Sequence, residues 1–359
     1  MKKLKTVIIG YGRSGRDIQT VTLNLLPDLY EIVGYVETDA QRREMIKRET
    51  NKPVYADHIQ LFSRNDIDLV INTSFSQFHV PISIDLLKNN FNVVCEKPVA
   101  RNRAELQTVF DTAKATGRKY FAFQQARFGA AFLKLQEIIA SGILGRIVEI
   151  SLRFEMFSRR WDWQTVHENI GGVLNNNGSH NVDMALILMD FPQNVEVFAC
   201  MDRANFSGNA EDYAKVILRA PGAPVLDLVN THCNAFPSQL YMVQGTCGTL
   251  KGGLNWLEWK FYKPEEASPL KIETRALRNE KGEPVYCSES LKFYEDSWKI
   301  NTDGNIAEVN EGLVYYRAVY TSLTNNEEFP IKNDQLMLLL KVIEEAYAQN
   351  RKLFAVPLI

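Results

Sequence analysis

A chain of 359 residues, 45% of them apolar, holds material for two ordinary domains with real cores. A formal net charge of −2 supplies no basic field for nucleic acid or an anionic membrane surface. The five cysteines are scattered and form no CxxC pair, which argues against a disulfide framework or a zinc site and for reduced thiols.

The charged start Met1-Lys2-Lys3-Leu4-Lys5 leads into an apolar run of roughly four residues that ends at Gly10, too short for a secretion signal. No stretch approaches a membrane span. A cytoplasmic protein without membrane or nucleic-acid partners is expected.

Up to residue 125, strand and helix signals alternate. Strands are expected at 6–9, 31–36, 69–72, 91–95 and 120–123, and helices at 16–26, 40–49, 79–89 and 103–116. That rhythm builds βαβ units and a doubly wound parallel sheet of the α/β Rossmann type, assigned to residues 1–125. After a helix at 130–140 the character changes. Runs rich in Val, Ile, Phe and Tyr at 145–154, 195–200, 214–218, 226–233 and 254–262 are interrupted by helical signals only at 180–189 and 334–349. Residues 126–359 therefore read as an α+β domain on a large, mainly antiparallel sheet. One face of that sheet is free for a partner subunit, so a homodimer or homotetramer is expected. The polar stretch 265–283 reads as a loop or hairpin excursion.

Gly10-Tyr11-Gly12-Arg13-Ser14-Gly15 stands in GxGxxG register directly between a strand and a helix. The first glycine suits a tight turn, the second a close approach of backbone to pyrophosphate, the third close helix–strand packing. The helix N-terminus adds oriented N–H donors. About twenty residues on, Glu37 closes the second strand, where a carboxylate accepts from both ribose hydroxyls and repels a 2′-phosphate. NAD is expected in preference to NADP, although Arg42 and Arg43 stand near enough in sequence to serve a 2′-phosphate.

Cys95-Glu96-Lys97-Pro98 follows a strand, and Gly171-Gly172-Val173-Leu174-Asn175-Asn176-Asn177-Gly178-Ser179-His180-Asn181-Val182-Asp183 follows later. Together with the glycine turn they resemble the glucose–fructose oxidoreductase/inositol dehydrogenase (Gfo/Idh/MocA) family. The likeness extends to Phe75-Ser76-Gln77-Phe78-His79, Gln125-Ala126-Arg127-Phe128 and Gly245-Thr246-Cys247-Gly248-Thr249-Leu250. It implies Lys97 and His180 as the catalytic pair, with His180 accepting the hydroxyl proton. It further implies cofactor contacts from Thr73, Ser74, His79, Glu96 and Lys97, and substrate contacts from Arg127, Trp163, Asn176 and Asp183.

Those roles make chemical sense. A lysine at the carboxyl edge of a parallel sheet sits where doubly wound folds bind ligands, and its ammonium stabilises a developing alkoxide. Pro98 fixes the backbone after it and is a candidate for a cis bond. Imidazole titrates near neutrality, as a general base should. His180 is expected to open an apolar helix; His167 is a rival base in a loop. Trp161-Asp162-Trp163, after Arg159-Arg160, suits a sugar face or equally a packed interface. Asp183 suits substrate hydroxyls or simply the helix dipole.

One position departs from the family pattern. The usual aspartate four residues before the histidine is Asn176, which can orient a hydroxyl but cannot stabilise imidazolium by charge. The expected activity is hydride transfer between nicotinamide C4 and a secondary alcohol of a sugar, glycoside or cyclitol. Two alternatives stay open: a retained-NAD enzyme working through a transient 3-keto sugar for glycoside cleavage or epimerisation, and a non-catalytic NAD/sugar sensor. No closely spaced His/Cys set exists, so no metal is expected.

Overall fold

The computed structural model describes residues 2–300 and 310–354. Residues 301–309 and 355–359 of the expected second domain lie outside the described residues. The first layer is a six-stranded, wholly parallel sheet: β1 (Leu4–Ile9), β2 (Tyr30–Val36), β3 (Val54–Tyr55), β4 (Leu69–Asn72), β5 (Asn92–Cys95) and β6 (Tyr120–Ala122), in the order β3-β2-β1-β4-β5-β6. Helices cover both faces, so the strands are continuous apolar runs; all four residues of β4 are buried. Order reverses beside β1, with β2 on one side and β4 on the other. In such sheets the crevice outside the strand ends at this point is where ligands bind.

Local signals place the helices well. Asp39 accepts from the Arg42 N–H at 2.7 Å and starts Ala40–Thr50. Asn102 accepts from the Glu105 N–H at 2.9 Å, and Gly117 at φ 65° ends the same helix, Arg103–Thr116.

The second sheet has eight strands: β7 (Ile147–Glu155), β8 (Glu196–Asp202), β9 (Tyr213–Arg219), β10 (Val225–Thr231), β11 (Tyr241–Gly245), β12 (Gly248–Gly252), β13 (Trp256–Tyr262) and β14 (Phe293–Lys299). Their order is β14-β13-β12-β11-β7-β10-β9-β8, antiparallel throughout except for the parallel pair β7/β10. Helices Ala130–Ala140, Ser179–Leu188 and Asn333–Gln349 pack on one face, and one apolar core runs from β1 and β2 through them to β12 and β13. The other face carries the Arg153–Asp227–Lys215 charge ladder (2.8 and 2.9 Å) beside exposed Phe198. No described helix is long and apolar enough to cross a membrane.

Strands β3, β11, β12 and β14 and one helix escape the sequence reading. Residues 265–283 are irregular, as expected, but the excursion closes with strand β14. Helix Glu311–Asn325 is the larger omission. Its Tyr315, Tyr316, Val319 and Tyr320 recur at helical spacing, yet aromatic and β-branched residues read equally well as strand. They are buried against the first layer, where the Tyr30 hydroxyl donates to the Tyr316 carbonyl at 2.6 Å.

Candidate active site

The glycine turn is built from the steric demands of its three glycines. A Cβ on Gly10, held at φ +89°, would stand 2.6 Å from the Thr73 carbonyl oxygen, and one on Gly15 would stand 1.9 Å from the Gly10 oxygen. A Cβ on Gly12 would meet nothing within 4 Å. So Gly10 and Gly15 are needed by the fold, whereas Gly12 faces open space where a pyrophosphate can approach the backbone.

Glu37 sits over this turn. Its buried carboxylate accepts from the Tyr11 N–H at 2.8 Å and the Asp39 N–H at 3.0 Å. Arg42 is 3.9 Å away, and Arg43 is turned to the backbone, donating to the carbonyls of Glu37 and Thr38. Glu96 points to the same turn: it accepts from the Ser14 hydroxyl and, at 2.8 Å, from Gln19. Thr73 Oγ1 donates to the carbonyls of Ile9 (2.7 Å) and Gly10 (3.1 Å), and Ser74 Oγ to Asn72 at 2.7 Å. Both nitrogens of buried His79 face carbonyls, Pro98 at 2.7 Å and Ser74 at 3.0 Å. Only the imidazolium donates twice. Burial opposes that charge, but Cys95, the Pro98 carbonyl and Glu96 raise the group to about 9. The ring thus ties the loop after β4 to the loop after β5 and is itself fully engaged.

Lys97 leaves the end of β5 through a cis peptide to Pro98. Its Nζ donates to the Asn176 backbone oxygen at 3.0 Å and side-chain Oδ1 at 2.7 Å, leaving a third N–H. Burial, with Arg13 and Arg160 adding to it, lowers the ammonium to about 8 against the pull of Glu96. His180 donates from Nδ1 to the Gln124 amide oxygen at 2.9 Å, so Nε2 carries the lone pair. Burial and the Lys97 charge push this imidazole down to about 3, which corrects the near-neutral titration expected of it from the sequence.

The two π-helical turns among the described residues are Ser14–Thr20, after the glycine turn, and Leu174–Gly178, which holds Asn176. π turns interrupt the regular carbonyl ladder and recur at functional sites. Here the Asn176 carbonyl accepts from Lys97 and from Ser179 Oγ. The turn also corrects the sequence reading. Helical backbone begins at Val173, so His180 and Asp183 lie inside a continuous helical stretch rather than at its start.

Residues 4–124 match the oxidoreductase family with an NAD-binding Rossmann fold, and residues 132–251 match the GFO/IDH/MocA C-terminal domain. The chain belongs to the Gfo/Idh/MocA oxidoreductases. An uncharacterised oxidoreductase of Schizosaccharomyces pombe is 26% identical over 382 residues, covering 100% of each chain. The trans-1,2-dihydrobenzene-1,2-diol dehydrogenase of Mus musculus is 24% identical over 68% of this chain and 73% of its own. The WlbA dehydrogenase of Bordetella pertussis, solved with NADH and UDP-GlcNAcA, shares the fold at a TM-score of 0.75 and 19% identity, over 98% of this chain and 97% of its own.

Against that family pattern, Arg127 and Asp183 take a different place from the one expected. They face each other, Nε to Oδ2 at 2.6 Å and Nη2 to Oδ1 at 2.7 Å, both buried, and Arg127 Nη1 donates to Gln335 at 2.6 Å. Their polar atoms are engaged with one another rather than offered to a ligand. Trp163 is half-buried and packs edge-on against Phe75 at 4.8 Å, next to the loop of Thr73 and Ser74. Trp161 is 82% exposed. The rival base His167 is stacked on Phe354 at 4.4 Å and lowered by burial. Among the described residues no cluster could hold a metal ion.

Gln124 is the residue that sequence reasoning missed. Its signal was a buried polar residue at the carboxyl end of β6, the edge where this fold class binds ligands. With Arg127 it forms a clamp. Gln124 and Arg127, three apart, hold His180 and Asp183, three apart on the opposing helix.

Proposed function

We propose that this oxidoreductase moves a hydride between nicotinamide C4 and a secondary alcohol of a sugar, glycoside or cyclitol, with Lys97 and His180 as the catalytic pair. The observation that carries the reading is a half-buried ammonium whose charge reaches a neutral imidazole, itself fixed through Nδ1–H on Gln124. Bound NAD supplies the hydride acceptor. Gly12, the Ser14 end of its helix and Glu37 suit the dinucleotide: open backbone for pyrophosphate, and a pinned carboxylate with free lone pairs for ribose hydroxyls. The same carboxylate repels a 2′-phosphate, which favours NAD over NADP.

Lys97 orients the substrate hydroxyl with its third N–H and stabilises the oxygen as negative charge develops. His180 Nε2 takes the proton. Asn176 holds the ammonium in place without neutralising it. Relatives named as dehydrogenases of a cyclic diol and of inositol support an alcohol carried on a ring. The test is a panel of sugars, inositols and glycosides incubated with NAD or NADP while the absorbance of reduced nicotinamide is followed. Turnover with NAD that is lost in Lys97→Ala and His180→Ala is expected. Turnover surviving both substitutions would sink the assignment.

A further inference from the structure

The candidate site is short of negative charge. Three of its carboxylates, those of Glu96, Asp183 and Asp162, are already engaged. Glu96 is held by Ser14 and Gln19 on the cofactor side and supplies the one negative charge whose pull reaches Lys97, and both oxygens of Asp183 are taken by Arg127. Asp162 is closed in a bidentate pair with Arg160, at 2.8 Å for each bond. Lys97 itself meets only neutral oxygens, both from Asn176.

Two further cations, Arg13 and Arg160, have fields that reach Lys97. Arg13 belongs to the glycine turn and so to the pyrophosphate end. Arg160 keeps one nitrogen over: Nε and Nη2 serve Asp162 and Gln164, while Nη1 makes no hydrogen bond among the described residues. Oxidised nicotinamide adds one more positive charge. A half-buried ammonium surrounded in this way is costly to hold, and an incoming anion offsets that cost.

We propose that the substrate is an anionic polyol, carrying a carboxylate or phosphate near the reacting carbinol, whose charge is received by Lys97 and Arg160 Nη1. This rests on the dehydrogenase reading above for what the site does, but it is tested separately from it. The arrangement selects by charge as well as shape, since a neutral sugar of the same size leaves the positive charge of Lys97, Arg160 and the nicotinamide in excess over Glu96 and Asp162.

Calorimetry on NAD-saturated protein at constant ionic strength, with glucose, myo-inositol, glucuronate, gluconate and a glucose phosphate, decides it. At least one class of anion should bind on the order of tenfold tighter than its neutral parent. The stronger class tells carboxylate from phosphate. Asn176→Asp places a carboxylate on the ammonium and should bring the ratio close to one; Arg160→Gln should weaken the anions by a larger factor than it weakens glucose. Equal binding of neutral and anionic ligands, no binding of any, or a ratio untouched by Asn176→Asp overturns the inference. Hydride transfer is followed in parallel. Anion preference without transfer sinks the dehydrogenase reading alone, and transfer from neutral sugars without preference sinks the charge assignment alone.

Discussion

Gln124 Oε1 lies 2.9 Å from Nδ1 of His180, and that contact decides which imidazole nitrogen keeps its lone pair. An amide oxygen only accepts, so Nδ1 carries the proton and Nε2 the lone pair. A carboxylate in this position would also favour the imidazolium; an amide does not. The imidazole therefore stays neutral through the working range, lowered to about 3 by burial and by Lys97.

The pH profile of kcat/KM should accordingly lack an acidic limb near neutrality. It should fall only on the alkaline side, as Lys97 loses its proton at about 8. Gln124→Glu gives Nδ1–H a charged acceptor, raises the imidazole and brings an acidic limb up towards neutrality. Gln124→Leu frees the ring and should cost about 10²-fold in kcat with little change in KM. Nitrogen NMR of His180 reads the tautomer directly. An Nε2–H tautomer in the wild type would refute the arrangement.

The glycine turn gives a contrast within one motif. A side chain at Gly12 enters open space, so Gly12→Val should keep the thermal midpoint within about 2 °C while abolishing the fluorescence change on NADH binding. At Gly15 the added Cβ would lie 1.9 Å from the Gly10 oxygen, so Gly15→Ala should destabilise the fold itself. Equal loss of stability in the two variants would mean that Gly12 is needed for packing rather than for the cofactor.

The Arg127–Asp183 pair predicts a large asymmetry. Both groups are buried, so Arg127→Leu strands a carboxylate and should cost about 3–5 kcal/mol in urea unfolding. Burial already raises Asp183 even with the guanidinium in place, and the lone carboxyl would take up a proton instead of staying charged. Replacing both partners, Arg127→Leu with Asp183→Leu, should restore part of the loss. A double variant as unstable as the sum of the single ones would show that the pair has no coupling.

Much of this was legible in the sequence because local rules and tertiary demands agree. Residues 69–72 and 103–116 read correctly: the first is a pure apolar run, and the second has Asn102 and Gly117 as caps. Residues 311–325 did not, since their tyrosines pack against Tyr30 across almost the whole chain length and no local pattern records that partner. The same limit applies at the site. Motifs single out Lys97, Asn176 and His180, but nothing near Gln124 or Arg127 in sequence says that each meets a residue 56 positions later. Asp183, read from its helix, looked available to a ligand; the fold hands both its oxygens to Arg127.

Glu211 links the stability of the site to pH. Its carboxylate lies under Gly172, where a Cβ would stand 2.2 Å from Oε1, and it receives the Leu174 N–H at 3.0 Å and the Tyr347 hydroxyl at 2.9 Å. Oε2 has no partner among the described residues. Burial raises this group to about 7, more than the Leu174 N–H and the Tyr347 hydroxyl lower it. The unfolded chain gives up the same proton near 4.3. Because the folded value is the higher one, the stabilising contribution is complete below about 4.3 and is lost as pH rises to about 7, a change of about 4 kcal/mol. Glu211→Gln keeps the Oε1 acceptor and removes this titration, so across that window its unfolding free energy should gain on the wild type's as pH rises, whatever slope the other buried groups, His180 among them, impose on both. As Gly172 leads directly into the helical stretch bearing Asn176 and His180, loosening should start there: hydrogen exchange at residues 172–180 should quicken with pH, beyond its intrinsic dependence, in the wild type and not in the variant. An unchanged slope in Glu211→Gln would transfer the effect to another buried group.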